Sequence, residues 1–326
     1  MPARRSPLTL SSAAAFAASL ALLPLVFAAL APAARLAGQS DPPPPLVKEH
    51  ATVKVGDHTY QIPDGNVPLV PNVGIVTGSA GTLVIDPGLG RRNGETILRE
   101  VAKVARASKL YVASTHFHAE HTTGYAAFPA GTTFISAAVQ QEELAEQGAE
   151  QIALFSKRFP GAAALLEGAT PPKADVTFDR THLLDLGDVR VQLVVVGPTH
   201  TRGDTGFFVE SDGVLFSGDV VMKDSFLMAT GVTSMNAWLK AFDVFEALRP
   251  RVIVPAHGAS GDGTLIPANR SIMRDIQARA REMKAQGYSS DDVAAAVRKE
   301  LWAKHTRWPR ADGLYAAARA AYAEAP

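Results

Sequence analysis

Four short apolar runs along the chain each end in a turn that carries a lone polar group. Lys109-Leu110-Tyr111-Val112-Ala113-Ser114 leads into Thr115-His116, and Val191-Gln192-Leu193-Val194-Val195-Val196 into Gly197-Pro198-Thr199-His200. Gly213-Val214-Leu215-Phe216 leads into Ser217-Gly218-Asp219, and Arg251-Val252-Ile253-Val254 into Pro255-Ala256-His257-Gly258. Runs of this length, rich in β-branched residues and bounded by turn formers, predict strands. Residues 51–55 and 59–62 alternate around Gly56-Asp57 like paired edge strands. The spacing of Ile97, Leu98, Val101 and Val104 predicts a helix over 96–107, and similar patterns cover 137–159 and 236–248. After His257 the pattern becomes helical throughout, over 266–286, 289–302 and 313–322. Ser289-Ser290-Asp291-Asp292 gives the second of these a cap and an acidic first turn. Trp302, Trp308, Tyr315 and Tyr322 are spaced to pack these helices on the rest of the chain, or to form a dimer contact or a pocket lid.

The densest candidate chemistry lies in Thr115-His116-Phe117-His118-Ala119-Glu120-His121. It places three of the nine histidines and a carboxylate within six residues. Imidazole and carboxylate are the ligands that borderline metals such as zinc prefer. In extended or tightly turning backbone His116 and His118 point to one side. Glu120 and His121 lie beyond the bend and can face a second point, so one loop can hold two metal ions. Singly, His200, Asp219 and His257 are weak signals, because a histidine after a strand or a Gly-Asp pair is commonly a loop or turn residue. Together, in this order, they form a set.

In these motifs the chain resembles the metallo-β-lactamase superfamily, where His-x-His-x-Asp-His is followed by a His, an Asp and a His. The resemblance covers about Val53 to Gly258. It implies an α/β fold, a four-layer αββα sandwich with metals at one edge, here with a C-terminal helical appendage. Carried over residue by residue, it puts His116, His118 and His200 on one metal, Glu120, His121 and His257 on a second, and Asp219 between them. The implied cofactor is Zn2+, two per chain, with iron or a single metal as alternatives. Asp86, in Gly81-Thr82-Leu83-Val84-Ile85-Asp86-Pro87-Gly88, resembles the aspartate that supports the metal loop, though an Asp-Pro-Gly turn explains it equally well. The bridging Asp resembles the glyoxalase II, lactonase and alkylsulfatase branches. Zinc β-lactamases generally lack it, and one subclass has a metal-binding Cys there, whereas this chain has no Cys. Lys223 lies near the place of that subclass's substrate-gripping Lys but one residue too far along, and is a substrate contact or a surface lysine.

Glu120 departs from the family, which has Asp at this place. The carboxylate is kept, but its arm is one methylene longer. Three readings stay open: a slightly shifted second metal, a weakly bound one, or a different metal such as iron.

Composition narrows the function class. Hydrophobic content of 47% and charged content of 20% describe a globular protein. Lys plus Arg and Asp plus Glu are both 32, so no basic field draws nucleic acid. The absence of Cys excludes disulfides and thiolate ligands. Arg4 and Arg5 precede the apolar stretch from Ala13 to Leu30, no further charge occurs until Arg35, and Ala31-Pro32-Ala33 and Arg35-Leu36-Ala37 offer small-residue cleavage sites. This reads as a secretory signal peptide, with an uncleaved anchor as the alternative. The expected division is a signal peptide over 1–37, a Pro-rich linker over 38–46, a metallo-β-lactamase-like domain over 47–262, and a helical region over 263–326 packed on the same domain. The expected location is periplasmic or secreted, with no stable membrane association after cleavage. The oligomeric state is left open.

The function expected from the resemblance is an exported zinc-dependent hydrolase. It would use a metal-bound hydroxide on a small-molecule amide, ester, thioester or lactone, β-lactams included. Asp219 or Glu120 would deliver a proton to the leaving group. No Gly-x-Ser-x-Gly elbow offers a competing nucleophile. Two other classes are a persulfide dioxygenase-like oxidoreductase of the same fold and a non-catalytic accessory metal-binding protein. His118, where the flavodiiron pattern has Glu, and the lack of a flavin domain argue against redox chemistry. The complete ligand set argues against a passive module.

Overall fold

The computed structural model describes residues 44–326. The expected signal peptide and most of the expected linker lie outside the described residues.

The apolar runs lack strict alternation because both faces of each sheet are covered. The first sheet has the order β1 (Val53–Lys54), β2 (Thr59–Ile62), β3 (Val73–Thr77), β4 (Thr82–Ile85), β5 (Leu110–Ala113), β6 (Thr133–Ala137) and β7 (Val176–Phe178). Pairing is antiparallel from β1 to β4 and parallel from β4 to β7. The second sheet holds β8 (Thr181–Asp185), β9 (Arg190–Val195), β10 (Thr205–Val209), β11 (Val214–Gly218) and β12 (Val252–Pro255). It is antiparallel except for the parallel pair β11–β12.

The cores follow the two-residue period of the strands. Val76, Leu83, Ile85 and Ile135 of the first sheet meet Leu193, Phe207, Val209, Val214, Phe216 and Val254 of the second. Their neighbours Val73, Ile75, Val84, Val112 and Phe134 face outward onto Ile97 and Val101 of α1 (Gly90–Val104). On the far side, Val194, Phe208, Leu215 and Ile253 carry four helices: α5 (Met235–Ala247), α6 (Leu265–Ala285), α7 (Ser290–Lys304) and α8 (Gly313–Glu324). The layers therefore run helix, sheet, sheet, helix. Gly74 is required by the closeness of the sheets, since a Cβ there would lie 2.6 Å from the Phe216 ring. The three other α-helices are α2 (Ala119–Thr122), α3 (Ala138–Arg158) and α4 (Ala162–Leu165). Of these, α3 is itself a long helix, and it lies beside the first metal-loop candidate.

Helix α1 starts six residues before the expected 96. The helices after His257 form the outer layer on the second sheet, with α7 started by a Ser289–Asp292 capping box. Of the four aromatic residues expected to pack there, Trp308, Tyr315 and Tyr322 do so, but Trp302 is 40% exposed. Among the described residues, no helix is long and apolar enough to cross a membrane.

Candidate metal centre

Strand ends deliver the polar groups to one edge of the sandwich. β5 ends at Ala113 and hands the chain to His116 and His118, then to Glu120 and His121 in α2. β9, β11 and β12 run in the same direction and end just before His200, Asp219 and His257. Two groups of ligand atoms result: His116 with His118 and His200, and Glu120 with His121 and His257. Within each, all the atoms lie within 4.8 Å of one another.

The nitrogen geometry of the first group is specific. His118 Nδ1 lies 3.1 Å from His116 Nε2 and 3.2 Å from His200 Nε2. Three nitrogens on one tetrahedral zinc, each about 2.0–2.1 Å from the ion, stand about 3.3 Å apart. The outer nitrogens are held by acceptors. His200 Nδ1 donates to the Met228 carbonyl at 2.6 Å, and His257 Nδ1 to the Val70 carbonyl at 3.0 Å. A carbonyl only accepts, so each Nδ1 carries the proton and each Nε2 keeps its lone pair. Burial, followed by the neighbouring histidines, holds His116 and His118 well below the ordinary imidazole range, in the neutral form that binds metal. His257 is lowered to about 3 by burial and then by Arg310.

The carboxylates are short of partners. Glu120 Oε2, Asp219 Oδ1 and His121 Nε2 are buried with no hydrogen-bond partner. Orphaned buried polar atoms are costly, and a cation among them removes the cost. Burial raises the Glu120 carboxyl, chiefly against the pull of His121. Asp219 is held below the usual carboxylate range: burial pushes it up, but Arg310, His200, His257 and His121 outweigh that. Its Oδ2 lies 3.5 Å from His200 Nε2 and 2.7 Å from Arg310 Nη1. The donor set therefore fits divalent ions of the zinc type.

The supporting residues explain why the loops hold still. Asp86, at φ 60°, accepts from the Thr115 backbone N–H at 2.7 Å and from its hydroxyl at 2.9 Å. Its Oδ2 is 3.0 Å from His121 Nδ1, a close approach without hydrogen-bond alignment. Against the effect of burial, Asp86 raises His121 to about 9. Asp86 is thus both a turn residue and a support of the histidine loop. Asp204 takes the Thr199 and Thr201 hydroxyls and the Thr201 N–H, which fixes the His200 loop. Glu143 of α3 accepts the Arg202 and Gly203 N–H groups at 2.8 and 2.9 Å. Asn72 donates to the Pro255 and Gly258 carbonyls around His257.

Of the other candidates, Lys223 is exposed and its charge is felt by Asp262. Phe155 packs 6.3 Å from the His118 ring, while Leu154 is 45% exposed. Arg310 was not anticipated. It sits in the α7–α8 loop, where no local pattern marks it.

A profile of the metallo-beta-lactamase superfamily matches residues 66–257. The chain belongs to the metallo-β-lactamase superfamily. Within that superfamily it is 29% identical, over 167 residues, to an acyl-coenzyme A thioesterase of Gallus gallus. That match covers 48% of this chain and 59% of the relative, less than two thirds of the relative's length. Among solved structures, a metallo-β-lactamase from Pontibacter korlensis is 19% identical with a TM-score of 0.55, over 68% of this chain and 96% of its own. A stereoselective inverting sec-alkylsulfatase from Pseudomonas sp. is 15% identical with a TM-score of 0.63, over 83% of this chain and 49% of its own. At these identities the likeness to the two structures is one of metallo-β-lactamase fold.

Proposed function

We propose that the protein is an exported, zinc-dependent hydrolase of small molecules bearing an amide, ester, thioester or lactone, β-lactams included. The observation that carries this is the pair of ligand groups, each of three residues, with Asp219 3.5 Å from His200 and with Glu120 and Asp219 each keeping a buried oxygen without a partner. His116, His118 and His200 would hold one ion, Glu120, His121 and His257 the other, and Asp219 would serve both. Divalent ions bound there would supply Lewis acidity and would lower the pKa of a water to about 7. The chain's part is to hold the ions and carry protons. The carbonyls of Met228 and Val70 orient His200 and His257, and Asp86 sets a negative charge 3.0 Å from His121 Nδ1. Glu120, raised by burial, and Asp219 are the groups placed to pass a proton to a leaving group. The thioesterase activity of the Gallus gallus relative supports thioesters as the first substrates to assay.

About two zinc ions per chain are expected in leaderless protein purified with zinc, with chelation abolishing hydrolysis of a β-lactam, lactone and thioester panel and zinc restoring it. Elemental analysis checks this, and zinc near zero in folded protein would overturn the reading.

Export rests on the uncharged stretch between Arg5 and Arg35. Mass spectrometry of a periplasmic fraction is expected to find a mature N-terminus between Ala34 and Asp41. Intact Met1 in soluble cytoplasm would rule it out.

A further inference from the structure

Arg310 reaches the metal centre from the outer helical layer, 91 residues away from its partner Asp219. Its backbone lies in the left-handed region, at φ 67°, which costs a residue other than glycine about 1 kcal/mol or more. Packing holds it there. The Pro309 carbonyl accepts from Phe226 N–H at 3.2 Å, and the Arg310 carbonyl accepts from Gly313 N–H at 3.0 Å. Trp308 stacks on the His305 ring at 4.0 Å and meets Phe226 edge-on. The loop is thus built to present this one side chain.

The guanidinium uses little of its bonding capacity. It carries five N–H donors in a planar fork that suits oxyanions. Nη1 donates to Asp219 Oδ2, and no other described residue accepts from the remaining donors. The side chain is 22% exposed, against 5% for Asp219, so it is not wholly covered where it meets that carboxylate. With Nη1 2.7 Å from Asp219 Oδ2, a group held beside Asp219 would lie close to the guanidinium.

Charge points the same way. Two divalent ions would bring four positive charges to a ligand set with two carboxylates, Glu120 and Asp219. Asp86 adds one negative charge behind His121, and Arg310 adds a positive one. With the hydroxide of the proposed reaction counted as a further negative charge, an excess of one positive charge would be left at the centre. A neutral substrate leaves it uncompensated, and an anionic one offsets it. Lys223, the lysine nearest in sequence to such a role, is exposed.

We propose that Arg310 anchors an anionic group of the substrate, a carboxylate, phosphate or sulfate oxygen carried beside the bond that is hydrolysed. The assignment rests on the two-metal reading and narrows it from small acyl compounds to anionic ones.

The test uses inorganic sulfate as the probe, titrated calorimetrically into the zinc-loaded leaderless chain and into Arg310→Lys, Arg310→Met and Arg310→Gly. A parallel assay compares an S-acyl thioglycolate with its methyl ester. Sulfate affinity is expected to fall about tenfold or more in the Met and Gly variants, with Lys between them and wild type. For the charged thioester KM should rise by a similar factor, and clearly more than KM for the neutral ester. Arg310→Gly relieves the left-handed strain, so its thermal midpoint should not fall below that of wild type, which separates lost folding from lost binding. Sulfate affinities equal within about twofold in wild type and Arg310→Met, or no sulfate binding to zinc-loaded wild type, would overturn the anchor. So would loss of zinc in Met and Gly with retention in Lys, which would make Arg310 a support of Asp219 instead. Zinc missing from wild type would strike the two-metal reading itself, and elemental analysis of the same samples tells the cases apart.

Discussion

Asp219→Ala is expected to lower hydrolysis by at least about 100-fold and to remove at least one zinc per chain. Altering a partner that merely supports a metal ligand commonly costs about 10–100-fold, and the proposed role of Asp219 as a ligand of both ions would cost more. Its Oδ2 lies 3.5 Å from His200 Nε2, and its Oδ1 is buried without a partner. Four cationic or cation-binding groups, Arg310, His200, His257 and His121, act on this single carboxylate. Removing it leaves Arg310 without its counter-ion and, on the proposed two-metal reading, both ions without the anion they would share. Steady-state rates with elemental analysis check the expectation. Unchanged turnover and zinc content would reduce Asp219 to a turn residue.

Glu120 is expected to be adapted to its longer arm, so Glu120→Asp should not raise turnover and should weaken the second zinc several-fold. Glu120 reaches the group of His121 and His257 from the first turn of α2, with Oε1 3.8 Å from His121 Nε2. The α2 backbone sets where that reach begins, and it is fixed by the His121 N–H to His118 carbonyl bond and by the Thr123 hydroxyl on the Ala119 carbonyl. Shortening the side chain by one methylene draws the oxygen back by about 1 Å, beyond what a catalytic constellation tolerates, about half that. Glu120→Ala should weaken the second zinc further, since it removes the carboxylate from a group of three. Zinc titration with parallel rates for the three proteins decides. A several-fold gain in Glu120→Asp would show a site not built for glutamate. Unchanged zinc binding in Glu120→Ala would remove Glu120 from the ligand set.

Much of this was legible because local chemistry and global fold coincide. The runs ending at His200, Asp219 and His257 are strands whose ends share one edge, as their turn residues suggest. The start of α1 was hidden because its first turns carry Gly90, Arg91, Arg92, Asn93 and Gly94 in place of an apolar stripe. Gly94 is there for close packing, since a Cβ would meet the Gly124 carbonyl at 2.2 Å. Trp302 misled because α7 buries Val293, Ala294, Val297 and Leu301, and the next residue around the helix points away from that stripe. Strands β8 and β10 passed unnoticed, the first exposed at three of its five positions and the second short and next to better signals. Arg310 had no local signature at all. Its role comes from a loop between two helices folding back onto a strand end, which only tertiary packing brings about.

Each ligand group draws on both sheets. His116 and His118 follow β5 of the first, while His200 follows β9 of the second. Glu120 and His121 likewise belong to the first, and His257 follows β12 of the second. Ions held there would act as a clasp closing the open edge of the sandwich. Whatever binds only the folded chain adds stability by mass action, about 2.7 kcal/mol when it stands a hundredfold above its Kd. The lifetime of the protein would then follow the ion supply around it. In a zinc-poor setting proteases would find the loosened sandwich, and scarcity would be felt as a shrinking number of molecules as well as idle ones.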